Sequence, residues 1–279
     1  MTDLIHTFGT DSLDVFSSRR AALRKTGQIG FAAAIAALPF LKPGRAQAQS
    51  TNGDFGILNY ALTLEYLERS FYNQVVAAAT EANDDEDDTT VSLLDGDQLG
   101  LFTLIRDHEA AHVDLLSAAI VEAGGMPVDY EDSDFEFGDF LNSFEGIATL
   151  AQGLEDTGVR AYKGQAAAIE NKDYLTVALR IHSVEARHAA AIRRLTASPA
   201  TKGWIPGAQP GAPAAIAPVY AGEDNTVQGG VELTTALSGY TTQQITEAFD
   251  ETLTMDQVLA IAGPFITGEE GDTPAESRG

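Results

Sequence analysis

The sequence predicts an all-α fold, a four-helix bundle followed by an irregular C-terminal extension, and three observations carry that expectation. Four long segments repeat apolar residues at the three-and-four spacing of a helix. The segments fall into two similar pairs. From Ala197 to Tyr240 the composition shifts to Gly, Pro, Ala and Thr, which reads as extended connection with short strand-like pieces.

Helix 1 is expected over about 55–80, with Leu58, Leu62, Tyr72 and Val76 on one stripe. Helix 2, over about 96–123, carries Phe102, Ile105, Leu116 and Ala119 and stops at Gly124-Gly125. Helix 3, over about 139–171, shows Ala148, Ala151, Val159, Tyr162, Ala166 and Ile169 in register. Helix 4, over about 173–196, shows Ala178, Ile181, Ile192 and Leu195. The tight Asn171–Asp173 junction makes helices 3 and 4 antiparallel neighbours. In the extension, 242–249 and 255–261 read as short helices, with Trp204, Tyr220, Val231, Leu233, Ile245 and Phe265 as apolar anchors and a frayed tail from about 267.

Each apolar stripe carries acidic or imidazole side chains. Glu65 and Glu155 stand alone on stripes 1 and 3, while Glu109-Ala-Ala-His112 and Glu185-Ala-Arg-His188 stand on stripes 2 and 4. Residues three apart on a helix share a face, so each Glu-x-x-His aims a carboxylate and an imidazole at one point. One Glu from each of two helices plus Glu-x-x-His from each of the other two is the ligand set of carboxylate-bridged di-iron and di-manganese bundles. Four unpaired carboxylates facing a core would be protonated or would prevent folding. Two divalent cations cancel four negative charges, so two iron or two manganese ions are the expected cofactors. One Glu-x-x-His arises by chance in roughly one of every few chains of this length; two, each paired with a core-facing Glu, do not.

The pairs also match in detail. Leu64-Glu65 with Tyr72 seven residues on corresponds to Leu154-Glu155 with Tyr162 seven residues on. Tyr72 and Tyr162 are therefore candidates to hydrogen-bond the carboxylates, although a buried Tyr satisfied elsewhere is the common case. Glu68, one turn beyond Glu65, is an alternative helix-1 ligand; Glu65 is preferred because the position equivalent to Glu68 in the second half is Gly158. His182 reads as a polar partner or surface residue, His108 as pointing away from Glu109, and His6 as part of the N-terminal segment.

The runs from Leu58 to Glu68, Arg106-Asp-His-Glu-Ala-Ala-His112 and Val184-Glu-Ala-Arg-His188 resemble the ferritin-like superfamily, most closely its exported, desiccation-related branch. The resemblance covers about residues 55–197, with a looser match through Phe249–Phe265. It implies a ferritin-like four-helix bundle in which Glu65 and His112 serve one metal, Glu155 and His188 the other, and Glu109 and Glu185 are shared as bridging, catalytic ligands. It implies dioxygen or peroxide as substrate and leaves open a passive metal-binding or iron-sequestering protein and a manganese catalase.

Residues 1–48 read as a targeting segment. Ser18-Arg19-Arg20-Ala21-Ala22-Leu23-Arg24 resembles a twin-arginine export signal, followed by an apolar run from Ile29 to Leu41 and the small-residue site Ala46-Gln-Ala48. The run is short for a membrane span and contains Pro39, so cleavage before Gln49 and release outside the cytoplasm, without stable membrane insertion, are expected. Residues 1–48 hold six basic and three acidic side chains, which leaves 11 basic, 38 acidic and a formal charge of −27. Nucleic acid and anionic membranes would repel such a chain. The acidic runs 84–88 and 129–134 read as solvated loops rather than a cation funnel. No cysteine is present, which excludes disulfides, thiolate metal sites and Fe–S clusters. Composition leaves a homo-oligomer open.

Overall fold

In the computed structural model, the described residues are 53–84, 93–195, 202–209 and 212–267. The targeting segment, the acidic run 84–88 apart from the backbone of Asp84, and nearly all of the expected frayed tail lie outside them.

Four long helices form the body: α1 (Asp54–Asp84), α2 (Gly96–Glu122), α3 (Phe144–Ala166) and α4 (Lys172–Leu195). Helix α1 packs chiefly on α2 and α3 on α4, so the two sequence pairs are two spatial pairs. Between them lies a core that includes Leu62, Phe71, Phe102, Ile105, Leu116, Ile120, Leu150 and Ile192, all at most 1% exposed. Among the described residues no helix is long and apolar enough to cross a membrane.

Local chemistry fixes the helix ends. Asp95 caps α2 by accepting from the amides of Asp97 and Gln98, while the Gln98 side chain accepts from the Asp95 amide. Helix α3 begins later than the periodicity suggests, because Ser143 is extended and accepts from the Gly146 amide. Residues Gly138–Asn142 form a separate 3-10 turn. Helix α3 also ends early, at Ala166. The amides of Glu170 and Asn171 leave the helical ladder and donate to the Asp54 carboxylate at the start of α1, each at 2.8 Å.

The connection from α2 to α3 runs the length of α1. Met126 and Val128 bond to Asn59, Asp129 accepts from Tyr66, Asp132 accepts from Ser70 and Asn73, and Phe135 accepts from Gln74. Ascending residues of the connection thus meet ascending residues of α1, and α3 starts at the far end of α1 and returns antiparallel to it. Acidic residues in 129–134, expected as solvated loop, fasten this crossover instead.

The extension packs on α3. A two-stranded antiparallel hairpin, β1 (Val227–Gln228) and β2 (Val231–Glu232), turns through Gly229 and Gly230, both at positive φ. Short helices α5 (Leu233–Ala236), α6 (Thr242–Thr246) and α7 (Met255–Ala262) follow. Arg160 of α3, wholly buried, donates to the carbonyls of Val219, Ala221 and Glu251 and pairs with Glu223 at 3.1 Å. Tyr220 donates to Asp156 at 2.9 Å and accepts from Gln152 at 2.7 Å. Gly153 leaves room for Ile216, whose Cγ2 would lie 2.5 Å from a Cβ there. Tyr220, Leu233 and Ile245 are buried anchors as expected, and Phe265 is half-buried against Phe137 and Phe140. Trp204 and Val231, each 50% exposed, are not. Polar clamps from α3 do much of the anchoring assigned to apolar side chains.

Candidate metal centre

The six residues at the expected positions meet in the middle of the bundle. Glu65, Glu109, Glu155 and Glu185 are 0% exposed, His112 is 9% and His188 5%. They form two overlapping groups, Glu65–Glu109–His112–Glu185 and Glu109–Glu155–Glu185–His188, whose ligand atoms lie within 4.8 Å of one another.

The distances show how the carboxylates are shared. His112 Nδ1 lies 3.0 Å from Glu65 Oε2, 3.0 Å from Glu109 Oε2 and 3.1 Å from Glu185 Oε1. His188 Nδ1 lies 2.9 Å from Glu109 Oε1, 3.2 Å from Glu155 Oε2 and 3.5 Å from Glu185 Oε2. Glu109 and Glu185 therefore each turn one oxygen to one imidazole and the other oxygen to the second. Each of the two carboxylates is thus placed between both imidazoles.

Close approach is not the same as hydrogen bonding. Glu109 Oε1, Glu155 Oε2, both oxygens of Glu185 and His188 Nδ1 are buried without an aligned partner. Buried polar atoms are nearly always paired, so several orphans converging on one place fit a cation at that place. The hard oxygen and imidazole donors fit iron or manganese.

Electrostatics of the metal-free cluster agree. Burial lowers the His188 pKa, but Glu155, Glu109 and Glu185 overcome this and push it up to about 12. His112 is raised further, against its own burial, by Glu65, Glu109 and Glu185. Burial lifts Glu155 to about 7 and Glu109 well above the carboxylate range. Glu185 goes down to about 2, because His112 and His188 outweigh its burial. Protons on the imidazoles thus hold positions that two cations would take over.

Both tyrosines reach the carboxylates, and they do so crosswise. Tyr72 of α1 donates to Glu155 Oε1 on α3, and Tyr162 of α3 donates to Glu65 Oε1 on α1. Burial, with Glu155 and Glu65 next in influence, raises both hydroxyl pKa values well above normal, so both keep their protons. Each hydroxyl leaves the carboxylate's other oxygen facing the imidazoles.

One residue beside the centre was missed. His108 Nδ1 lies 2.9 Å from His188 Nε2, with the rings stacked at 5.2 Å, so the residue set aside for pointing away from Glu109 touches an imidazole of the centre. The four-residue step from His108 to His112 was the signal available, since such residues share a helix face. Glu68, weighed only as a substitute for Glu65, is buried as well, at 3% exposure. Burial and then Glu185, Glu155, Glu109 and Glu65 push its pKa far up. His182 stays outside both groups, half-buried on α4.

No curated protein matches the chain. The family described as ferritin-like domain matches residues 53–198, from just before α1 to just past α4. That match spans more than half of the chain and contains all six residues of the centre, and the protein belongs to the ferritin-like domain family.

Proposed function

We propose that the protein is an exported oxidoreductase that holds two iron or two manganese ions and acts on dioxygen or peroxide. The single observation that supports it most is the sharing of Glu109 and Glu185 between His112 and His188. Carboxylates split between two positions favour a close metal pair over two unrelated sites. Such a pair, when bound, supplies electrons one at a time while staying in one ligand cage.

The chain's own residues do the rest. Tyr72 and Tyr162 fix the rotamers of Glu155 and Glu65. Aromatic and aliphatic side chains, Phe71, Phe102, Ile105 and Leu116 among them, keep water from the carboxylates and so strengthen their hold on charge. His108 braces the outer nitrogen of His188 and is itself half-exposed, which gives a proton a route between His188 and solvent. Export rests on Arg19 and Arg20 of the twin-arginine-like segment. A role against oxidative or drying stress is the physiological reading that follows from export and from the substrate class.

The test is oxidation of the loaded protein. Iron(II) protein mixed with oxygen or peroxide is expected to develop near-ultraviolet ligand-to-metal absorption while consuming the oxidant. Glu109→Ala and Glu185→Ala are expected to lose both signals. Rapid peroxide loss with manganese alone would make the protein catalase-like. Tight binding of both metals with no oxidant consumed would leave a storage or structural role.

A further inference from the structure

Two sides of the four-helix body are covered by the chain itself. The connection from α2 to α3 lies along α1, and the extension lies against α3. The outer sides of α2 and α4 stay open. Among the described residues, the large apolar side chains left exposed on the four long helices stand there, Val121 of α2 and Leu179 of α4. Thr176 and Ser183 are short and leave a shallow recess along α4 beside Leu179, Arg180 and Arg187.

Charge on this face is sorted by helix. Arg69, Arg106, Arg160, Lys163, Arg193 and Lys202 each pair with a carboxylate. The other described cations, Lys172, Arg180, Arg187 and Arg194, have no ion pair among the described residues, and all four are exposed on one outer stripe of α4. Past the first turn of α2 the exposed acids are Asp107, Asp114 and Glu122. Asp107 holds Arg106 at 2.6 Å, while Asp114 and Glu122 have no ion pair among the described residues.

The two stripes are in step. Asp107, Asp114 and Glu122 are seven and eight residues apart, and so, read in the opposite direction, are Arg187, Arg180 and Lys172. The helices run antiparallel, since His108 of α2 meets His188 of α4 at 2.9 Å and His112 meets Glu185 at 3.1 Å. Each acid therefore stands within about three residues, or about 4 Å, of the height of one base. Within one copy these partners point outward side by side and do not meet.

We propose that this face is the interface of a homodimer, in which the acidic stripe of α2 lies on the basic stripe of α4 of a second copy. A two-fold axis parallel to the helices, between α2 and α4, sets each helix on the other at unchanged height, so all three acid–base matches form twice over. An axis across the helices would stack α2 on α2 and acid on acid. A polyanion fits less well, because it would meet Asp107, Asp114 and Glu122 about 10 Å from the basic stripe. The strip is about 36 Å long and about 20 Å wide, or about 700 Å² per copy, close to the usual size of a specific interface.

The test is sedimentation of the protein at low and high salt. Wild type is expected to be a dimer at low salt, with an affinity that falls as salt is raised. Arg180→Glu and Asp114→Arg each make two facing pairs repulsive and should weaken the dimer about tenfold or more. An equimolar mixture of the two variants should dimerise as wild type does, because across a mixed pair each acid again faces a base. A wild-type monomer at every salt concentration, a dimer that both variants leave intact, or a mixture that stays monomeric would each overturn the interface. Assembly seen only on addition of heparin would make the stripe a polyanion site and overturn it as well.

Discussion

Tyr162 holds Glu65 from across the bundle, donating to Oε1 and leaving Oε2 at 3.0 Å from His112 Nδ1. The hydroxyl is buried and keeps its proton, so it acts only as a donor and fixes which oxygen faces the centre. Outer partners of metal ligands typically change affinity by about 10–100-fold when removed. Tyr162→Phe should therefore weaken the metal position of Glu65 and His112 by about tenfold or more, and Tyr72→Phe the position of Glu155 and His188. Stepwise metal titration against a chelator reads the two separately. Unchanged affinity in both variants would show the tyrosines to be packing residues.

His112→Ala or His188→Ala should lower metal content and the metal-dependent gain in thermal midpoint together, because binding to the folded state alone is a contribution to folding. Chelation of wild type should reproduce the loss. If either variant retained two metals per chain with an unchanged midpoint, that imidazole would not belong to the centre.

The metal-free protein should become less stable as the pH rises from about 4.5 to about 7. Glu155 has its folded pKa raised to about 7, so the stability it contributes is fully present below its unfolded pKa of about 4.3 and is lost through the folded value. His188, raised to about 12, contributes in the same sense from about 6.5 upward. Glu185, lowered to about 2, gives stability that is present above about 4.3 and falls away only in acid. The wild-type minus Glu155→Gln difference isolates one of these groups and should shrink with rising pH by a few kcal/mol in order of magnitude. The metal-loaded protein should go the other way, since protons compete for the ligands. Parallel pH profiles for loaded and metal-free protein would rule this out.

How much of this was legible in the chain depends on which force set each feature. Burial set the bundle and its six inward side chains, and burial leaves a periodic trace: Glu65 sits in register with Leu62 and Tyr72, as Glu155 does with Ala151 and Tyr162. Both ends of α3 were misplaced, the start because Ser143 takes the Gly146 amide and the end because the Asp54 carboxylate, 116 residues from Glu170, takes amides that periodicity alone would assign to the helix. Glu68, one turn beyond Glu65, was set second because the equivalent position of the other half is Gly158, and only the packing shows that a Cβ on Gly158 would stand 3.0 Å from Glu68 Oε1. His108 was set aside on its angle to Glu109. The four-residue step to His112 and the packing of α2 on α4 bring it to His188 instead. Arg160 left no trace, since a buried arginine bonded to carbonyls of a segment some sixty to ninety residues on has no local signature.

Arg160→Met should detach the extension while leaving the centre in place. The guanidinium lies between Glu223 and the carbonyls of Val219, Ala221, Glu251 and Thr252. Methionine fills most of the volume and supplies no donor, so one buried carboxylate and several carbonyls lose their partner. Breaking a buried pair in this way costs about 3–5 kcal/mol. Burial and Asp250 already lift Glu223 to about 7 despite Arg160, so the proton form is within reach. A raised carboxylate favours folding below its unfolded pKa of about 4.3 and ceases to do so as the pH passes its folded value. The defect of Arg160→Met should accordingly be small near pH 5 and large near pH 8, and Glu223→Gln on the same background should recover part of it at pH 8. Limited proteolysis should cut the variant between Val219 and Thr252 first, with metal content retained by the four-helix body. Equal protease resistance in variant and wild type at pH 8 would mean that the apolar contacts of Ile216, Val219 and Ile245 hold the extension without the arginine.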